Sequence, residues 1–210
     1  MKTFAQNLMK LAPDWATLAP ELIETFDWLE DQGWLTIRKD GQPEHYTLLI
    51  YPPELANHFG ASHVGFGGTT LKYTSHWSTP NTEVDNRIFE IGTTSGDGGR
   101  LVLWLDEDGK QQFVQMGHDN AGIISDDPRV VLQFLAMGYP EPAALEQTDI
   151  TPLQAFFDYH GVYDLDEIDP AEHPVAPTAL QAFLKERFGL DMPATARAIG
   201  IADFAPYQDE

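Results

Sequence analysis

Leu101-Val102-Leu103-Trp104-Leu105-Asp106-Glu107-Asp108-Gly109-Lys110-Gln111-Gln112-Phe113-Val114-Gln115-Met116 is the stretch on which the fold turns. A continuous apolar run reaches an Asp-Gly pair, the turn chemistry of a tight hairpin, and a second strand-like run then returns. The pair is expected to lie at the centre of a sheet.

Upstream, Arg87-Ile88-Phe89-Glu90-Ile91 before Gly92, and Thr69-Thr70-Leu71-Lys72-Tyr73 after Gly65-Phe66-Gly67-Gly68, read as strands bounded by flexible turns. Downstream, a loop over Gly117 to Gly122 leads through Ile123-Ile124 to Ser125-Asp126-Asp127-Pro128. There Asp127 can cap a helix whose first position is the proline. Val131, Phe134 and Leu135 share one face of that helix, which is expected to pack on the sheet and to stop at Gly138.

The first fifty residues read as helix, helix and hairpin. Pro20 opens a helix with Leu22, Ile23, Phe26 and Leu29 at helical spacing, Gly33 stops it, and strands follow at Trp34–Arg38 and His45–Tyr51 around Asp40-Gly41. Such a unit invites comparison with a winged-helix DNA reader. Only Arg38 and Lys39 are basic between Glu21 and Tyr51, against seven acids, so too few phosphate contacts are available.

Beyond Tyr139, Pro140 and Pro142 precede two helical segments. Thr151-Pro152 opens one with Phe156 and Phe157, and Pro177-Thr178 opens another in which Leu180, Phe183 and Leu184 face one way before Gly189. Between them lies the acidic loop Tyr163-Asp164-Leu165-Asp166-Glu167-Ile168-Asp169-Pro170. The expected organisation is N-terminal helices and hairpin over 1–52, a sheet with its closing helix over 53–139, and a C-terminal helical extension over 140–210 on the same core. The fold class is α+β, a curled and mainly antiparallel sheet flanked by helices.

Composition narrows the functional classes. Hydrophobic residues make up 42% of the 210, enough for one sizeable core. Cysteine is absent, which excludes disulfides, thiolate metal sites and a cysteine nucleophile. Near Met1, polar residues interrupt every apolar run before the length of a signal segment or a membrane span, so a cytoplasmic location is expected.

Charge is the most unusual bulk property, with 33 acids against 12 bases and a formal net charge of −21. Between Arg129 and Lys185 there is no Lys or Arg but there are nine carboxylates. Such a field repels nucleic acid and anionic membranes and steers a basic protein inward.

Motifs for chemistry are sparse. Gly92-Thr93-Thr94-Ser95-Gly96-Asp97-Gly98-Gly99 follows a strand but lacks the lysine and the helix of a phosphate-binding loop, and reads as a flexible connection. The seven histidines include no His-x-x-x-His pair, and a metal site is not expected. His63, His76 and His118 are the ones that could converge with carboxylates, which would favour a metal-dependent hydrolase. Asp164, Asp166 and Asp169 lack the glycine and distal glutamate of a calcium loop, and no Gly-x-Ser-x-Gly occurs.

The run from Ile88 to Gly138, about a quarter of the chain, resembles the SUKH superfamily, bacterial toxin-immunity proteins related to a yeast cell-wall synthesis regulator. The resemblance rests on Ile91-Gly92, Gly96-Asp97-Gly98-Gly99, the strand Leu101 to Leu105, Asp108-Gly109, the return strand through Met116, His118, and the helix with Phe134-Leu135. Of the family's upstream Asn-Gly-Gly ending, Gly67-Gly68 is present. Membership implies neutralisation of a cognate toxin, often a nuclease, with no catalytic residue and no cofactor.

Resemblance and charge together predict an immunity-type protein that occludes a basic protein toxin. Its expected contact residues are Asp106, Glu107 and Asp108, then Asp164, Asp166, Glu167, Asp169 and Glu172, with Trp77 and Tyr163 as aromatic anchors. A regulatory or scaffolding domain without a toxin partner is the alternative.

Overall fold

The computed structural model of the chain describes residues 1–38, 45–68, 82–117 and 120–206. Among the described residues eight strands form one sheet in the order in which they occur along the chain, and every neighbouring pair is antiparallel. They are β1 (Leu35–Arg38), β2 (His45–Leu49), β3 (Gly65–Phe66), β4 (Ile88–Thr93), β5 (Arg100–Leu105), β6 (Gln111–Met116), β7 (Asn120–Ser125) and β8 (Ala205–Pro206). The helices are α1 (Thr3–Leu11), α2 (Pro20–Asp31), the single turn α3 (Thr82–Asp85), α4 (Pro128–Ala136), α5 (Pro152–His160) and α6 (Thr178–Phe188). The class is α+β.

The deciding hairpin is β5–β6, in register from Arg100 opposite Met116 to Leu105 opposite Gln111. Asp106 closes it by accepting the amides of Asp108 and Lys110, while Gly109 takes the left-handed φ of +77° that the turn needs. Leu101 and Leu103 on β5 and Phe113 on β6 point to one face and enter the main core. Register shifts between Glu90 and Gly92, and between Phe113 and Val114, bend the middle strands.

The helices form where sequence chemistry places them. Asp127 accepts the amide of Arg129 at 2.8 Å with Pro128 following, a cap worth about 1 kcal/mol, and Val131, Phe134 and Leu135 are buried against the sheet. Thr151 caps α5 by accepting the amide of Gln154. Phe26 of α2 meets Phe4 and Phe66 at centroid distances of 5.1 and 4.7 Å. Trp28 stacks on Phe183 of α6 at 4.5 Å, each such pair adding about 1 kcal/mol to area burial.

A single hydrophobic cluster runs from Phe4 to Phe204 and includes Leu180, Leu184, Ala196 and Ile201 from the C-terminal third. The buried Tyr139 fastens that third to the rest: its hydroxyl donates to the carbonyl of Ile150 and accepts the amide of Ala196. Tyr51 does the same nearby, donating to Val175 and accepting from Ser62.

Some elements differ from expectation. Gly65–Phe66 is itself strand rather than a turn before one, and strand Thr69–Tyr73 lies outside the described residues. β7 begins at Asn120 and takes in Gly122, within the expected loop, because packing supplies what side-chain propensity lacks: Phe204 lies where a Cβ on Gly122 would stand. Of the run from Gly92 to Gly99, expected as a flexible connection, Gly92 and Thr93 end β4, and the remainder is a pinned loop. Thr94 and Ser95 are buried, Thr94 N–H bonds Gly99, and its carbonyl accepts from Ala143.

Candidate functional site

Three chain segments meet at the end of the sheet where β4 turns into β5. His63 reaches it by donating its backbone amide to the carbonyl of Pro140 at 2.8 Å, which sets Glu141 beside the imidazole. Oε1 of Glu141 lies 3.1 Å from Nδ1 of His63 and also accepts the amide of Gly96 at 3.1 Å and the hydroxyl of Tyr159 at 2.9 Å. Glu141 is 6% exposed, and these donors offset the cost of burying a carboxylate.

Tyr159, on the last turn of α5, has its hydroxyl pKa pushed up to about 12 by desolvation, by its bond to Glu141, and by the negative charges of Glu141 and Asp97. It is a donor, not a base. His160 is boxed by rings, with Phe59 at 4.1 Å, Phe156 at 4.4 Å and Tyr159 at 4.8 Å. Desolvation, followed by the proximity of His63, lowers its pKa against the opposing pull of Glu141 and Glu172. Ser95 gives its hydroxyl to Asp97 and accepts from the amide of Gly99 at 2.6 Å, so its oxygen is committed to holding the loop. An imidazole fixed on a carboxylate can move protons; the buried hydroxyls of Ser62, next to His63, and of Thr94, next to Ser95, have no hydrogen-bond partner among the described residues.

Beside Glu141 opens a cleft of about 300 Å³, lined by Glu141, Glu146, Asp158 and Tyr159 over an apolar wall that includes Leu145 and Ile150. None of its lining residues is basic.

The acidic loop attaches to this same end. The carbonyl of Gly60 accepts the amide of Val175, Ala61 bridges Val175, and His173 caps Leu165 with a ring contact of 3.2 Å. Asp164 and Asp169 accept the amides of Asp166 and Ala171, and Glu167 accepts that of Tyr163, so part of the acidity builds the two tight turns of the loop. Among the described residues none of Asp164, Asp166, Glu167, Asp169 and Glu172 has an ion-pair partner, whereas Lys2, Arg100, Lys110, Arg129, Lys185, Arg187 and Arg197 are each paired with a carboxylate elsewhere. Tyr163 is 89% exposed, and Phe59, Leu153 and Tyr159 on or against α5 are also exposed.

The two acidic segments belong to different parts of the fold. Asp106, Glu107 and Asp108 occupy the β5–β6 turn, at the other end of β5 from the Ser95–Gly99 loop, a separation of roughly 17 Å along the strand. Lys110, which pairs with Asp126, reduces the local charge there. Trp77, His76 and His118 lie outside the described residues. His63 meets one carboxylate, and no group of three His, Asp or Glu among the described residues is placed to hold a metal ion.

Sequence reasoning missed Glu141, His160 and Phe59. A lone acid between Pro140 and Pro142 in the apolar run Tyr139–Leu145 was the available signal, because a carboxylate in such a setting needs partners. No helix among the described residues is long and apolar enough to cross a membrane. Comparison with protein-family models, with characterised proteins and with solved structures gives no match for this chain.

Proposed function

We propose that this protein binds a basic protein partner, of the kind neutralised by immunity proteins, and occludes it without making or breaking a bond. The observation that carries this reading is that carboxylates from Asp164 to Glu172, with no ion-pair partner among the described residues, adjoin exposed Tyr163, Tyr159 and Phe59 on one corner. Carboxylates without local cations project negative potential and raise the association rate. Exposed aromatic rings supply the affinity that charge alone does not.

The resemblance of Ile88 to Gly138 to toxin-immunity proteins supports a toxin, often a nuclease, as that partner. A nuclease surface shaped to grip phosphate is cationic, and an ordered acidic loop can stand in for the nucleic-acid backbone. Asp106 to Asp108, at the far end of β5, are a separate acidic point rather than part of this contact.

Co-expression tests the proposal. A toxin encoded beside this chain should arrest growth alone and become harmless when the chain is produced with it. Continued arrest with both proteins soluble and abundant would remove the immunity reading.

A further inference from the structure

Charge and shape in the cleft beside Glu141 specify more than general attraction. Its lining brings three carboxylates, those of Glu141, Glu146 and Asp158, to a space of about 300 Å³, which is the lower end of the range for small-molecule sites. Tyr159 contributes a ring, and Leu145, Ile150 and Ala155 contribute apolar wall. Glu141 is not free to swing away, because His63, Gly96 and Tyr159 hold one of its oxygens. Asp158 accepts the side-chain amide of Gln154 on one oxygen at 2.8 Å, and no Lys or Arg is among the lining residues.

We infer that this cleft receives an arginine side chain presented by the basic partner. Its guanidinium would lie between the carboxylates and against the Tyr159 ring, with its methylenes on the apolar wall. A planar fork of donors suits carboxylates in a fixed arrangement, and the same group stacks on aromatic faces. Asp158 and Tyr159 belong to α5, so the cleft adjoins the exposed aromatic corner, and an arginine here would anchor a partner that also covers Tyr163. The inference rests on the docking function proposed above.

The test uses the full-length ¹⁵N-labelled protein titrated with N-acetyl-arginine amide, and separately with N-acetyl-citrulline amide, which has nearly the same shape without the charge. The expected result is saturable amide shifts confined to residues 140–159 with arginine and none with citrulline. Glu146→Gln combined with Asp158→Asn should weaken arginine binding about tenfold with an unchanged melting temperature, since both positions are exposed. Equal shifts with citrulline, shifts that do not saturate, or an affinity unchanged in the double variant would overturn the assignment. The readout involves no toxin, so loss of the arginine site with toxin rescue intact defeats this inference alone, and failed rescue with arginine still bound defeats the docking function alone.

Discussion

His63 and Glu141, 78 positions apart in the chain, are joined by a contact of 3.1 Å between Nδ1 and Oε1. The same carboxylate oxygen accepts Gly96 N–H and Tyr159 O–H, so one buried acid gathers the loop after β4, the segment before β3, and α5. The corner proposed for docking is held in place by this acid.

Replacing it should therefore loosen that corner. Glu141→Ala leaves the Gly96 amide and the Tyr159 hydroxyl without their acceptor and is expected to cost about 2–3 kcal/mol in denaturant unfolding. Glu141→Gln, which keeps an acceptor oxygen, should cost about 1 kcal/mol. Equal stability of wild type and Glu141→Ala would show that the carboxylate is not the clamp described here.

Tyr51 makes an alkaline prediction. Burial pushes its hydroxyl from 10.0 to about 12, so the folded state keeps a proton that the unfolded chain releases. Above pH 10 the unfolded state binds fewer protons than the folded one, and stability is lost as pH rises towards 12, by about 2–3 kcal/mol. Tyr51→Phe is less stable at neutral pH, by about 1 kcal/mol for the lost hydrogen bonds, and should show a visibly shallower decline between pH 10 and 12. An identical alkaline slope in the two proteins would assign the loss to other groups.

His160 acts on the acid side. With its pKa below the ordinary value, the folded state favours the neutral ring; its contribution is fully present above about pH 6.5 and declines as pH falls below that. Protonation would charge a ring packed among Phe59, Phe156 and Tyr159. His160→Phe should flatten the stability profile just below pH 6.5, and ring proton shifts in NMR follow the titration directly.

Gly60 ties the acidic loop to the sheet end through contact that no side chain could share. A Cβ there would lie 2.0 Å from the carbonyl oxygen of His173. Gly60→Ala should cost about 1–3 kcal/mol through forced displacement and weaken partner binding by moving Asp164 to Glu172. Unaltered melting and unaltered binding would contradict the attachment.

Much of this architecture was legible because it is local. The Asp-Gly turn of β5–β6, the Asp127-Pro128 start of α4, and the stops at Gly33, Gly138 and Gly189 are short-range chemistry that tertiary packing did not override. β3, with two residues, has too short a pattern to detect. β7 conceals its start behind Asn120 and Gly122, positions that become strand because β8 pairs with Asn120 and because β6 and Phe204 lie against Gly122.

The site was legible in part. Tyr163 and the acids from Asp164 to Glu172 stand out by composition, and their exposure follows from it. The clustering of Glu141, His63 and His160 depends on loops returning from three parts of the chain, which no local pattern records. Composition was also silent on distance: the acids at the β5–β6 turn and those after Tyr163 look alike in sequence, yet the length of β5 separates them.

The central claim is that a basic protein docks on the Tyr163 corner under electrostatic guidance. Its most direct test takes the product of a neighbouring gene that arrests growth when produced alone, and measures its affinity for wild type, Tyr163→Ala, and a variant with Asp164, Asp166, Glu167 and Asp169 converted to amides, each across about 0.05 to 0.5 M salt. Wild-type association should slow by about tenfold or more with salt, the amide variant should start slow and respond little, and Tyr163→Ala should dissociate faster at every salt concentration. Association rates indifferent to salt, with all three proteins binding alike, would contradict the account.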